Sequence, residues 1–231
     1  MLSVHGRKPA AVVVEPIARA LISVGLSANA VTVAGTVISI LLAVVLIPTG
    51  HLFAAAVLSG VFVAFDLLDG TMARMSGGGT KFGATLDASC DRLSDGALFA
   101  AITWWLVYGA NDGAGAARAT VAASFGVLIF SQVISYVKAR GEASGFKMVG
   151  GLVERPERLI IGLVGTGLAG LSVPYALDVA VWLLFVGSAF TVVQRLQMAA
   201  RQPVARERIA APSGAKPAPA PGRVSKRRGG V

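Results

Sequence analysis

Six apolar stretches, each near the ~20 residues that a helix needs to cross a bilayer, constrain this chain more than any other feature. They fall at about 31–49, 52–75, 84–109, 117–140, 157–172 and 174–197. The fifth is short, and its separation from the sixth rests on "LSVPYALD", where Pro174 breaks the helical pattern. A soluble domain carries roughly a quarter charged residues. Here 14% of 231 residues are charged and 55% are hydrophobic, with a mean hydropathy of +0.71. The expectation is an all-α polytopic membrane protein with six transmembrane helices. No internal repeat supports a duplicated transporter architecture, and the single cysteine, Cys90, excludes an intrachain disulfide.

Orientation follows from where Lys and Arg lie. Arg7, Lys8 and Arg19 precede the first stretch, Arg74 and Lys81 follow the second, and Lys138, Arg140, Lys147, Arg155 and Arg158 follow the fourth. The other connections hold Arg118 and no lysine. Both termini are therefore expected in the cytoplasm. Residues 1–26 read as a cytoplasmic segment with an amphipathic helix on the membrane surface, because Ala11, Val14, Ile17, Ala18 and Leu21 recur at helical spacing. Glu15 and Arg19 interrupt its apolar run, so it is not expected to be a cleaved signal peptide. Residues 27–200 form the membrane domain, and the basic, Pro/Ala/Gly-rich segment 201–231 is expected to be disordered. A net charge of +9 suggests an anionic partner. In so apolar a chain that partner is a phospholipid surface and not nucleic acid.

Five aspartates sit oddly in this setting. Asp66, Asp69, Asp87, Asp91 and Asp95 lie in or beside the second and third apolar stretches, where a lipid-facing charge costs about 2.5–3.5 kcal/mol. Asp66 and Asp69 are spaced i, i+3 and Asp87 and Asp91 i, i+4, so each pair shares one helix face. The short linker "RMSGGGTKF" is expected to make the two helices antiparallel neighbours and bring the pairs together. Carboxylates at close range repel unless cations neutralise them, and hard oxygen ligands suit Mg²⁺ or Mn²⁺, ions that commonly partner phosphates. "SGGGTK" is no P-loop, since it joins two helices instead of following a strand.

Written out, the segment reads D-L-L-D-G-T-M-A-R, eight residues, G-A-T-L-D-A-S-C-D. It resembles the signature of the CDP-alcohol phosphatidyltransferases, D-x2-D-G-x2-A-R-x8-G-x3-D-x3-D, at every fixed position. The resemblance implies a six-helix membrane fold over roughly residues 10 to 200 and a site for two Mg²⁺ ions (Mn²⁺ being a substitute) held by Asp66, Asp69, Asp87 and Asp91. It also implies that Asp91 is the general base. Asp91 would deprotonate an acceptor hydroxyl, which attacks the lipid-bearing phosphorus of CDP-diacylglycerol and expels CMP. Gly70 and Gly83 would let the nucleotide approach, Arg74 would bond its diphosphate, and Thr80 would meet the nucleotide. Upstream, "LSANAVT" is similar to the segment that opens the first span in this family, with Ala28 in place of the usual proline. Asn29 is read as its N-cap, with the backbone of Ala30, Val31 and Thr32 facing the nucleotide. Asp95, outside the signature, is read as a supporting or helix-pairing residue, and Cys90 as packing.

The acceptor is not written in that signature. Ser135, Lys138, Arg155, Arg158 and Arg195 belong to three helix ends on the aspartates' side of the membrane, and such cations suit a phosphorylated acceptor. "SYVKARGEASGF" and "ERPERL" resemble the actinobacterial branch of the family that joins CDP-diacylglycerol to inositol 1-phosphate. That branch implies a multi-pass plasma-membrane enzyme in which Lys138, Arg155 and Arg195 grip the acceptor phosphate, with Ser135 and Arg158 nearby. Glycerol 3-phosphate is the alternative acceptor, and a divalent-cation transporter is an alternative of another class. Family members are commonly homodimers, and Gly35, Ser39, Gly162 and Gly165 are small enough for close helix contact.

Overall fold

A computed structural model describes residues 7–109 and 117–207, excluding the side chains of 7–13 and 64–66. The basic segment 208–231, most of the "GANDGAGAAR" connection and the side chain of Asp66 lie outside the described residues. Those that are described form seven α-helices and no strand. They are α1 (Arg7–Ser23), α2 (Ala28–Leu46), α3 (Leu52–Met75), α4 (Lys81–Trp104), α5 (Arg118–Ala143), α6 (Arg155–Gly170) and α7 (Ala176–Ala200). A π-helical turn, Trp105–Gly109, extends α4.

Local chemistry sets several of the boundaries. Ser27 caps α2 by accepting from the Ala30 N–H at 3.2 Å, and Thr80 caps α4 by accepting from the Gly83 N–H at 2.9 Å. Pro156 in the first turn of α6 has no N–H to strand there. By length and composition α2, α3, α5 and α7 are sufficient to cross a membrane. α4 carries Lys81, Asp87, Asp91, Arg92 and Asp95, and α6 has only 16 residues, so the apolar criterion alone does not select them.

The six helices after α1 pack in a ring whose order is α2, α3, α6, α7, α5, α4, with α4 closing on α2. This corrects one expectation. α3 and α4 make almost no direct contact among the described residues, and each packs on α2 instead. The linker allows this because Gly77 and Gly78 both adopt positive φ, 95° and 113°. Direct packing would also press the charged faces of Asp69 and Asp87 together.

Away from the aspartates the ring is filled by Ile47, Phe99, Ile102, Leu106, Val127, Val181 and Leu184. Glycines set the closest approaches. A Cβ on Gly165 would overlap that of Ala180, and one on Gly170 would overlap the backbone of Phe53. Gly165 thus serves packing within the chain.

α1 packs on α3, where Ala18, Leu68 and Met72 are buried together with Val14, Leu21 and Ile22 around them. The stripe expected to face lipid is therefore partly taken up by protein. Glu15 and Arg19 pair at 3.5 Å on the exposed side. The segment read as disordered from 201 also starts with structure. Gln202 accepts from the Lys147 N–H at 2.8 Å and donates to the Lys147 carbonyl at 3.0 Å, and Pro203–Arg206 forms a 3-10 turn. Both amide groups of Gln202 are satisfied by one backbone residue, which composition alone does not reveal.

Candidate active site

The first part of the site is where the N-termini of α2 and α4 meet. A Cβ on Gly83 would lie 3.1 Å from both Asn29 Oδ1 and Thr80 Oγ1, so the bare glycine leaves an open notch between them. Helix N-termini favour anions, and two of them converge here. Expectation and structure differ in detail. Ser27, not Asn29, is the cap; the Ala30 N–H is bonded to Ser27 Oγ and the Val31 N–H to the Ser27 carbonyl at 3.2 Å. With the cap two residues earlier than expected, the backbone of Ala30, Val31 and Thr32 is committed to the helix and not free for a ligand. Thr32 contributes its hydroxyl instead, donating to Asp69 Oδ2 at 2.5 Å.

Asp69 on α3 and Asp87 on α4 lie near enough for their charges to repel, and Arg92 and Arg155 offset that repulsion at Asp87. Arg74 folds back along α3 over Gly70, donating to Thr71 Oγ1 at 2.9 Å. Among the described residues no three His, Cys, Asp or Glu side chains are gathered closely enough to form a metal cluster. The donor chemistry nevertheless fits a divalent cation. Carboxylates from two helices come within range of mutual repulsion, and a hydroxyl is bonded to one of them.

The second part is a pocket of about 640 Å³ between α4, α5, α6 and α7. Ser135, Lys138, Arg155, Arg158 and Arg195 all line it, together with Asp91. Arg158 and Arg195 are only 1% and 3% exposed. Arg195 donates to the Ile134 carbonyl at 2.7 Å and pairs with Glu154 at 3.2 Å. Arg155 pairs with Asp91 at 2.8 Å and, through Nε, with Asp95 at 3.2 Å.

Asp95, 1% exposed, is the hub. It takes Arg92 at 3.3 Å, Arg155 at 3.2 Å and Arg158 at 3.5 Å. A buried carboxylate with three guanidinium partners is compensated, and it ties α4 to α6. The segment between α5 and α6 is strapped to α7 by the Leu152 and Val153 N–H groups, which donate to Gln194 Oε1 at 3.1 Å and Thr191 Oγ1 at 3.0 Å. That strap sets the positions of Glu154 and Arg155.

Sequence reasoning did not select Arg92, Glu154 or Gln132. Arg92 bonds Ser135 Oγ and reaches both Asp91 (3.8 Å) and Asp95, while Gln132 donates to the Arg92 carbonyl at 3.3 Å. The available signal was the position of Arg92, next to Asp91 and three before Asp95. Glu154 had none, since only the tertiary fold brings it to Arg195.

Known proteins resemble this chain over most of its length. The profile of the CDP-alcohol phosphatidyltransferases matches residues 25–193. The phosphatidylinositol phosphate synthase of Corynebacterium glutamicum is 62% identical over 216 residues, covering 94% of this chain and 97% of that protein. The Mycobacterium tuberculosis protein of the same name is 50% identical, over 87% of this chain and 91% of its own. The crystal structure of the M. tuberculosis protein with CDP-DAG bound superposes with a TM-score of 0.80, at 50% identity, covering 85% of this chain and 98% of that one. The structure of that protein with manganese and citrate gives 0.79, covering 84% and 92%.

Proposed function

The chain belongs to the CDP-alcohol phosphatidyltransferase family, and from that premise we propose that it transfers the phosphatidyl group of CDP-diacylglycerol to inositol 1-phosphate, releasing CMP. The observation that carries the reading is one pocket lined by Asp91 together with Lys138, Arg155 and Arg195. A phosphate suits this lining, since the two guanidinium groups can bond it bidentately and Lys138 adds a point charge.

Asp91 takes the proton of the acceptor hydroxyl as that oxygen bonds to the lipid-bearing phosphorus and the bond to CMP breaks. Asp66, Asp69, Asp87 and Asp91 would hold two divalent ions, Mg²⁺ in the cell, which stabilise charge on attacking and leaving oxygens when bound. Thr32 orients Asp69 for that role. Arg74 and the Asn29–Thr80–Gly83 notch receive the nucleotide diphosphate. Lys138, Arg155 and Arg195 hold the acceptor phosphate, with Ser135 and Arg158 supporting them.

α4 and α6 complete a six-span bundle in the plasma membrane of an actinobacterium, with α1 at its cytoplasmic surface and both termini cytoplasmic. Of their charges, Arg92, Asp95, Arg155 and Arg158 are tolerated because they pair with one another inside the ring. The working unit is a homodimer.

The test is acceptor-dependent CMP release by purified protein with CDP-diacylglycerol and Mg²⁺. Turnover with inositol 1-phosphate, and not with inositol or glycerol 3-phosphate, is expected. Turnover with glycerol 3-phosphate alone would keep the mechanism and overturn the acceptor.

A further inference from the structure

Two carboxylates share the Arg155 guanidinium, and they belong to different parts of the site. Nη2 meets Asp91 Oδ1 at 2.8 Å, and Nε meets Asp95 Oδ1 at 3.2 Å. Asp91 is part of the signature, whereas Asp95 is a buried anchor one turn further along α4. Arg155 itself comes from α6 and faces the acceptor pocket. Arg92 also spans Asp91 and Asp95, but it lies on α4 beside them, stands 3.8 Å from Asp91, and spends its other amino group on Ser135. Arg195 is tied to Ile134 and Glu154, and Arg158 to Asp95 and Val153. Among the described residues Arg155 is therefore a cross-helix link that joins the signature to the pocket.

We infer that Arg155 makes anion binding in the acceptor pocket conditional on a cation at Asp91: the cation displaces Nη2 from the Asp91 carboxylate, while Asp95 keeps Nε in place and the released amino group turned to the pocket. Charge balance supports this. The lining residues include five cations, and the carboxylates of Asp91, Glu142, Glu154 and the underlying Asp95 nearly cancel them. A phosphorylated acceptor meets little net charge until Asp91 is neutralised by something else. Loading of the two halves is thereby coupled, and coupling is reciprocal, so acceptor phosphate tightens cation binding by the same factor.

The inference rests on the site reading above, and the experiment separates the two. Full-length protein without CDP-diacylglycerol, and hence without turnover, is titrated calorimetrically with inositol 1-phosphate, with and without Mn²⁺. Mn²⁺ binding is followed separately by electron paramagnetic resonance. In the unmodified protein Mn²⁺ tightens inositol 1-phosphate binding about tenfold. Asp91→Asn binds it about tenfold more tightly than the unmodified protein when both are metal-free, although the variant cannot turn over. Asp91→Ser serves if the amide variant does not fold. Asp87→Asn, which removes a carboxylate from the same helix that is not bonded to Arg155, keeps a metal-free affinity for inositol 1-phosphate close to that of the unmodified protein. Arg155→Ala abolishes the Mn²⁺ dependence. Equal gains in the Asp87 and Asp91 variants would reduce the effect to general charge and overturn the inference, as would Mn²⁺ binding that leaves inositol 1-phosphate affinity unchanged. Absence of Mn²⁺ binding altogether would instead overturn the metal site on which the inference stands.

Discussion

On the acceptor side, α4, α5, α6 and α7 are laced by Asp95 to three arginines, by Arg92 to Ser135, by Arg195 to Ile134 and Glu154, and by the strap over Thr191. On the signature side, α3 and α4 stand apart, Thr32 of α2 ties to Asp69, and Asp91 is tied to Arg155 of the other side. Both sides concentrate charge inside an apolar ring, but they neutralise it differently. The acceptor pocket carries its own counter-ions and is organised before any ligand arrives. On the signature side Asp69 and Asp87 repel one another and Arg92 and Arg155 offset this only at Asp87, so the proposed site relies on cations from outside for the rest. Substitutions on the two sides should therefore fail differently, one in chemistry and ligand affinity, the other in folding.

The largest effect belongs to Asp91→Asn, which removes the carboxylate proposed as general base and metal ligand. CMP release should fall by at least about 10²–10⁴-fold with an unchanged melting profile in detergent. A large loss of stability instead would place Asp91 with the structural charges and erase the contrast. Next is Asp95→Asn, which strips three arginines of their buried counter-ion. Breaking such a network costs about 3–5 kcal/mol, read as a lowered unfolding midpoint or loss of monodisperse protein. Unaltered stability there would show that the acceptor side is not self-organised.

Gly170→Ala probes the apolar region beyond both. Its Cβ meets the Phe53 backbone, and overpacking of that kind costs about 1–3 kcal/mol. The Michaelis constants of the protein that remains folded should be those of the parent. The smallest effect is Thr32→Val, which deletes the hydroxyl on Asp69 while keeping the shape. Metal affinity should fall about tenfold, measured by Mn²⁺ titration, and Thr32→Ser should restore it. A stability loss without a change in metal affinity would make Thr32 part of the packing alone.

Much of this was readable from short-range pattern. Apolar runs of bilayer length give the extent of the helices. The signature, eight fixed positions within 26 residues, identifies the aspartates and the family. The basic residues at three helix ends could be named as one set because positive charge collects on one side of such a membrane domain. What could not be read was which faces meet. The gap between α3 and α4 follows from both packing on α2, and a nine-letter linker is equally compatible with direct contact. The cap of α2 fell on Ser27 because its hydroxyl reaches the Ala30 N–H, leaving Asn29 turned toward Gly83.

The sequence by itself determined an apolar, all-helical chain, the family signature, and which of its aspartates share a helix face. Spacing along one helix suffices for that, since residues three or four apart share a face. Tertiary structure alone decided that Asp95 lies beneath three arginines, that Glu154 holds Arg195 and that Arg155 bridges Asp91 and Asp95. These pairs lie from 3 to 64 residues apart, and most join different helices. Ion-pair geometry depends on ångström distances between helices, which small residues such as Gly165 and Gly170 set far from the charges themselves.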